Sequence, residues 1–113
     1  MSRIYKILPR ADWLAARAAG RFEGSAVDLA DGYIHFSTAD QAQETARRHF
    51  AGQSDLVVLE VESVELGTAL KWEPSRGGAL FPHLYGPLDA KAVLAVLEAP
   101  LDASGGPQLR LPA

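Results

Sequence analysis

Cysteine is absent from the 113 residues of this sequence, and basic residues are in the minority. Without cysteine the chain has no disulfide bond, no catalytic thiolate and no metal site built on sulfur. Its 11 Lys and Arg residues against 14 Asp and Glu residues give a net charge of −3. Proteins that bind a phosphate backbone usually carry a basic excess, so we expect no nucleic-acid partner.

Long apolar runs are also missing. No segment approaches the roughly 18 consecutive apolar residues that a membrane-spanning helix needs. The N-terminus carries an early charged residue, Arg3, and lacks the apolar core of a signal peptide. We therefore expect a cytoplasmic protein without a membrane partner, while the sequence leaves the oligomeric state open.

Hydrophobic residues are plentiful at 48%, which is enough for the core of one domain. We predict this domain over residues 1–100. Residues 103–107 are rich in glycine and include serine and proline, which is typical of a turn. The C-terminal tail over residues 101–113 is therefore expected to be loose.

Hydrophobic periodicity predicts two short helices and a set of strands. The helices span residues 10–19 and 38–50, and the strands span residues 4–8, 33–37, 56–61, 70–73, 80–85 and 94–98. Residues 21–30 show little periodicity and are predicted to form a loop. Because two short helices cannot cover both faces of a parallel sheet, the predicted fold class is α+β rather than doubly wound α/β.

The second predicted helix carries its own start signal. Thr38 and Gln41 fit a capping box, in which each side chain bonds the backbone N–H of the other residue. Apolar residues then recur at helical spacing and indicate the buried side of the helix. This predicted stripe consists of Ala42, Ala46, His49 and Phe50.

Polar side chains alternate along two of the predicted strands. Because successive residues of a strand point to opposite faces, Tyr33, His35 and Ser37 share one face. By the same rule His83 and Tyr85 share one face of the later strand. If the two faces border one cleft, they form a polar site whose imidazoles titrate near neutrality.

Charged residues close to both strands in the sequence favour such a site. They are Asp28, Asp31, Glu73 and Arg76, and they place the expected pocket within residues 28–38 and 71–86. A lone histidine in a strand is more often structural, but two histidines with these charges indicate a functional cluster. His35 and His83 are therefore the candidate catalytic residues. Ser37 could instead cap the following helix, and Asp31 could instead form a turn.

Metal and nucleophile sites have weaker signals. The three histidines lack HExxH or any other close pair of ligands, so we expect no metal. Ser37 does not lie in the G-x-S-x-G motif of a nucleophile elbow. Arg76 precedes Gly77-Gly78, a segment that either binds an anion through its guanidinium and backbone N–H groups or forms only a flexible turn.

Short motifs of aromatic, charged and glycine residues lie along residues 3–98. They are Ile4-Tyr5-Lys6-Ile7, Trp13, Gly24-Ser25-x-x-Asp28, the block from Asp31 to Gln41, Leu70-Lys71-Trp72-Glu73 and Phe81-Pro82-His83-Leu84-Tyr85-Gly86. In this order and spacing the motifs resemble the bacterial family called domain of unknown function 952.

That family is similar in fold to ADP-ribosyltransferases, which bind NAD in the cleft of a split, mostly antiparallel sheet. The resemblance therefore implies a small split, mostly antiparallel sheet with two short helices. It also implies a small-molecule ligand, NAD or a related nucleotide as substrate, and glycosyl (ADP-ribosyl) transfer or hydrolysis. The alternative is a non-catalytic binding module for a small phosphorylated or acidic ligand, so enzyme activity stays open.

The same resemblance implies roles for individual residues. The segment from Gly32 to Ser37 is similar to the strand that carries the nicotinamide-stacking aromatic residue, and His83 replaces the late Glu or Gln that holds the ribose. A ring would stack on Tyr33 or Tyr85, and a ribose hydroxyl would bond Asp28 or Glu73. Arg76, together with Lys6 or Lys71, would compensate the charge of the phosphates. The candidate ligand-binding residues are thus Lys6, Asp28, Tyr33, Ser37, Glu73, Arg76 and Tyr85.

Overall fold

The computed structural model describes residues 2–103 and 105–111, with the backbone but not the side chain of Arg76. Within these residues the chain forms three α-helices, nine strands and short 3₁₀ segments. The helices are α1 (Arg10–Ala19), α2 (Ala26–Asp31) and α3 (Ala39–His49). The strands are β1 (Arg3–Pro9), β2 (Arg21–Phe22), β3 (Ile34–His35), β4 (Ser37–Thr38), β5 (Leu56–Glu62), β6 (Leu70–Ser75), β7 (Ala79–Leu84), β8 (Leu88–Asp89) and β9 (Val93–Glu98). The 3₁₀ segments are Ser63–Ala69, Arg76–Gly78 and Ala90–Ala92.

The strands form three sheets whose recorded pairs are all antiparallel. The central sheet has the strand order β4-β1-β5-β9, a second sheet has the order β3-β7-β6, and β2 pairs with β8. Strand β5 lies inside the central sheet, which agrees with its nearly continuous apolar sequence. The predicted α+β class with mostly antiparallel sheets is confirmed, although the described residues form three helices rather than two.

Strand β1 sends alternate side chains into two separate cores. Ile4 and Leu8 belong to the core that contains residues of α1, whereas Tyr5 belongs to the core that contains residues of α3. Lys6 shares the face of Ile4 and Leu8, and its Nζ lies 6.0 Å from the ring centroid of Phe22. An ammonium group that enters an apolar core needs a partner of opposite charge.

Residues 21–30 contain β2 and α2, so their prediction as a loop was wrong. Helix α2 begins with a capping box, in which Asp28 Oδ2 accepts a hydrogen bond of 2.8 Å from the backbone N–H of Ser25. Gly24 has a φ of 126°, and a Cβ at this position would lie 2.9 Å from Asp28 Cβ, so glycine permits the close packing. A helix of six residues is too short to show a clear period in the sequence.

The strand predicted over residues 33–37 is divided between two sheets. His35 of β3 pairs with His83 of β7, whereas Ser37 of β4 pairs with Tyr5 of β1. The chain changes sheets at Phe36, whose side chain is buried. Ser37 therefore leaves the strand pair that carries the histidines, and its hydroxyl donates to Thr45 Oγ1 at 3.1 Å.

Helix α3 forms where the sequence predicts a helix, and it packs on the central sheet. Its capping box is present, and Ala42 and Ala46 are fully buried. His49 is exposed, so its place in the predicted stripe was wrong; it is the last residue of the helix, and Phe50 packs against the core instead. In the part of the chain that the structure describes, no helix has both the length and the apolar character that a membrane crossing requires.

The described part of the C-terminal tail packs against α3 instead of lying loose. Gln43 donates a hydrogen bond of 2.8 Å to the carbonyl of Pro107 and accepts one of 3.1 Å from the N–H of Leu109. The side chain of Leu109 is buried in the core beside α3. These partners lie more than 60 residues apart in the chain, so no local sequence pattern predicts the contact.

Candidate functional site

Four aromatic rings from β3, β7 and their flanking residues meet on one side of the second sheet. His35 and His83 are cross-strand partners, and their ring centroids lie 5.6 Å apart. The Tyr33 ring stacks on His83 with centroids 4.1 Å apart, and its centroid lies 4.6 Å from that of His35 and 5.1 Å from that of Tyr85. We call these four residues the ring cluster. The shared faces expected from strand alternation are confirmed for all four.

Both nitrogens of the His35 ring face carboxylates. Nδ1 lies 2.6 Å from Asp28 Oδ1, and Nε2 lies 2.9 Å from Asp31 Oδ2. The backbone N–H of His35 also donates to Asp28 Oδ1 at 3.1 Å. Neutral imidazole donates only one hydrogen bond, so a neutral His35 ring donates to one of the two carboxylates and an imidazolium ring donates to both. Asp31 is the last residue of α2 and His35 lies in β3, so the turn between these two elements brings the side chains together.

His83 and Tyr85 both bind the carboxylate of Glu73. His83 Nδ1 lies 2.9 Å from Glu73 Oε1, and the Tyr85 hydroxyl donates to the same oxygen at 2.7 Å. The hydrogen bond from Tyr85, followed by the one from His83, lowers the pKa of Glu73. The same bond to Glu73 raises the pKa of Tyr85 to about 12. Near neutral pH Glu73 is therefore ionised and Tyr85 is protonated.

A buried ion pair between Lys6 and Asp28 contacts the ring cluster through His35. Lys6 Nζ lies 3.0 Å from Oδ1 and 2.9 Å from Oδ2 of Asp28, and the two side chains are 5% and 1% exposed. Burial lowers the pKa of Lys6, and the negative charge of Asp28 opposes this shift. Burial alone would raise the pKa of Asp28, but the hydrogen bond from His35 and the charge of Lys6 outweigh it and lower the pKa to about 2.

A small cavity of about 210 Å³ adjoins the ring cluster. Tyr33 and Asp28 form part of its wall, together with Glu23, Gly86 and Pro87. The ring cluster thus borders the cavity through Tyr33, and the rings of His35 and His83 contact the Tyr33 ring. In the described part of the chain, no group of three or more His, Asp or Glu side chains is placed to hold a metal ion.

The remaining candidate residues are placed as follows. Tyr33, Glu73 and Tyr85 belong to the exposed or half-buried part of the site. Lys6 and Asp28 are buried and bound to each other. Their role as direct ligand contacts stays a prediction. The side chain of Arg76 lies outside the described part of the structure. The predicted contact of Arg76 with an anion therefore also lies outside it. The sequence signal that the prediction missed is the position of Lys6 on the apolar face of β1.

Acid is expected to destabilise the fold through Asp28. Its pKa falls from the ordinary 3.8 to about 2 in the folded chain. Because the folded value lies below the unfolded one, the contribution of Asp28, on the order of 2 kcal/mol, is complete above about pH 4 and is lost as the pH falls toward 2. Urea unfolding between pH 2 and pH 5 measures this loss in the wild type and in Asp28→Asn.

The variant Asp28→Asn should show a weaker pH dependence in that window than the wild type. Glu44 is the matched control, because hydrogen bonds from Arg47 and then Arg48 also lower its pKa to about 2 but its side chain is more exposed. Solvent screens that surface cluster, so Glu44→Gln should change the pH dependence only slightly. Equal pH dependence in the wild type and in Asp28→Asn would contradict the role of Asp28.

The chain matches a known protein family and two solved structures. The model of the family described as "Protein of unknown function (DUF952)" matches residues 7–96. The crystal structure of protein CC0527 from Caulobacter crescentus is 62% identical in sequence, has a TM-score of 0.89, and is matched over 95% of this chain and 94% of that chain. Its solution NMR structure gives 62% identity and a TM-score of 0.86 over 96% and 93% of the two chains. The search of curated proteins finds no match.

These findings confirm the family that the sequence motifs resemble. The descriptions of the family and of the two CC0527 structures state no activity, ligand or partner. The similarity to ADP-ribosyltransferases stays a prediction from the sequence. Any function of this chain must therefore be argued from the ring cluster itself.

Proposed function

The chain belongs to the family described as "Protein of unknown function (DUF952)", and from the geometry of its ring cluster we propose that it binds NAD or a related nucleotide. In this proposal the chain cleaves the ligand, or transfers part of it, at the glycosidic carbon. The observation that carries the proposal is the carboxylate of Glu73, which Tyr85 and His83 hold at the surface in its ionised form.

The charge of the site suits this chemistry. Breaking a glycosidic bond builds positive charge on the sugar carbon, and a fixed carboxylate stabilises that charge in the transition state. Glu73 and Asp31 both lie at the accessible side of the ring cluster, with 37% and 46% of their side chains exposed. Phosphoryl transfer would need cations at this place. Lys6 is buried and bound to Asp28, so its charge is already compensated.

The rings supply the remaining groups that the reaction needs. Tyr33 is half-buried and borders the cavity, so it is the surface on which a planar base packs. When the glycosidic bond of NAD breaks, its electron pair neutralises the pyridinium nitrogen and nicotinamide leaves without a proton. His35 and His83 are therefore the groups that take the proton from the attacking water or hydroxyl acceptor. Each of the two rings is oriented by a carboxylate on Nδ1. Arg76 stays the predicted contact for the phosphates.

A module for acidic ligands fits the site less well. Asp28, Asp31 and Glu73 surround the ring cluster, and Glu23 lines the adjoining cavity. An acidic or phosphorylated group placed among these carboxylates would meet like charges, which weakens binding, so in the enzymatic proposal the diphosphate of NAD lies outside the ring cluster, toward Arg76. The enzymatic proposal needs negative charge at the same position, so the electrostatics favour it over the binding module.

Incubation of the purified chain with NAD, followed by proton NMR of the small molecules, tests the proposal. We expect release of nicotinamide, and loss of most of this activity in His35→Ala and in His83→Ala. His49→Ala is the matched control, since this exposed histidine on α3 lies outside the site and its loss should leave the rate unchanged.

Thermal shift with NAD, ADP-ribose and nicotinamide separates binding from catalysis. A ligand that binds only the folded chain stabilises it by about 2.7 kcal/mol at a hundredfold excess over Kd. A shift without release of nicotinamide would favour the binding module. No shift with any of the three at millimolar concentration, together with no product, would exclude the nucleotide proposal.

A further inference from the structure

Asp28 connects the interior of the protein to the ring cluster. Its Oδ1 lies 3.0 Å from Lys6 Nζ, 3.1 Å from the backbone nitrogen of His35 and 2.6 Å from the Nδ1 of the same residue. Its Oδ2 is occupied by Lys6 and by the backbone N–H of Ser25. The carboxylate therefore fixes both the backbone and the ring of His35, and Lys6 holds the carboxylate.

Stability alone does not account for this pair. A buried ion pair can be replaced by well-packed apolar residues without loss of stability, and often with a gain. Ile4 and Leu8 flank Lys6 on the same face of β1, so an apolar side chain would suit the position. What Lys6 supplies and an apolar residue does not is a positive charge beside the carboxylate of Asp28.

We propose that Lys6 is a positioning residue, which acts through Asp28 to keep the Nδ1 of His35 protonated and its Nε2 directed to the accessible side of the ring cluster. Lys6 itself touches Asp28 and does not reach the imidazole. The inference deepens the proposed function and rests on it for the catalytic consequence, because His35 can act as an acid or a base only in a defined tautomer.

The physical reason is that the ionised and the protonated forms of the Asp28 carboxyl group differ in the hydrogen bonds that they can make. Ionised Asp28 only accepts hydrogen bonds, so the Nδ1 beside it must donate. Without the ammonium of Lys6, burial favours the neutral carboxyl, which can donate to Nδ1 as readily as accept from it. The ring would then lose its fixed tautomer, although Asp31 still faces Nε2 and Tyr33 and His83 still contact the ring.

The first test uses the unmodified chain without ligand. Long-range proton–nitrogen NMR correlations of the three histidines report which ring nitrogens carry protons. We expect a protonated Nδ1 in His35 at neutral pH, and an unprotonated Nδ1 would overturn the proposal. Because no ligand is present, this result does not depend on whether NAD is the substrate, and the two proposals can fail separately.

The second test removes the charge of Lys6 and keeps its bulk. In a folded Lys6→Met variant we expect loss of the single Nδ1-protonated form of His35, while the signals of His83 stay in place. Lys91→Met is the matched control, since Lys91 is exposed, lies on the 3₁₀ segment Ala90–Ala92 rather than on the sheet of the ring cluster, and should leave His35 unchanged. If Lys6→Met does not fold, the neutral and polar Lys6→Gln takes its place with the same expected loss. An unchanged His35 tautomer in either folded variant would overturn the proposal.

Discussion

Asp28→Ala is expected to lower the free energy of unfolding by about 3–5 kcal/mol, which is the usual cost of removing one member of a buried ion pair. The variant leaves the ammonium of Lys6 uncompensated in the core, where its side chain is 5% exposed. It also removes the acceptor for the backbone N–H groups of Ser25 and His35. Unfolding in urea, followed by circular dichroism, measures the loss.

The double variant Lys6→Met/Asp28→Ala distinguishes this mechanism from simple loss of packing. Because the uncompensated charge disappears along with its partner, the double variant should be more stable than Asp28→Ala alone. Glu65→Ala is the control for loss of an acidic residue, since Glu65 is exposed, and it should change stability by less than about 0.5 kcal/mol. A double variant that is less stable than Asp28→Ala would show that the charge of Lys6 is not the cause.

The parts of the fold that follow local rules could be predicted from the sequence. Strand alternation alone places His35 with Tyr33 and His83 with Tyr85, because the side chains of a strand have a period of two. The capping box of Thr38 and α3 likewise depend on residues close together in the chain. These features need no knowledge of the tertiary structure.

The parts that depend on distant contacts could not be predicted. Lys6 and Asp28 lie 22 positions apart, so their pairing depends on how β1 and α2 come together in the fold. The strand breaks at Phe36 because β3 pairs with β7 while β4 pairs with β1. Alternation along one strand does not predict which strand it pairs with. The prediction therefore grouped Ser37 with the histidines, although its hydroxyl bonds Thr45 on α3.

One signal for the buried pair was present in the sequence. Lys6 alternates with Ile4 and Leu8, so the rule that grouped the histidines also places a lysine on an apolar face of β1. A buried lysine requires a buried acceptor, and Asp28 is the aspartate that caps α2 from within. Recognising α2 first would have pointed to this partner.

Glu73→Gln is expected to lower kcat for cleavage of NAD by about 10²–10³-fold, the range found when one preorganised electrostatic group is removed from a transition state. Glutamine keeps the size of the side chain, and its amide oxygen can still accept the hydrogen bond from the Tyr85 hydroxyl that lies 2.7 Å from Glu73. Only the negative charge opposite the developing sugar cation is lost. The affinity for NAD should therefore change much less than kcat, because ground-state contacts are retained. Steady-state kinetics and calorimetry separate the two quantities. Glu65→Gln, an exposed substitution outside the site, should leave both unchanged, whereas an unchanged kcat in Glu73→Gln would remove Glu73 from the reaction.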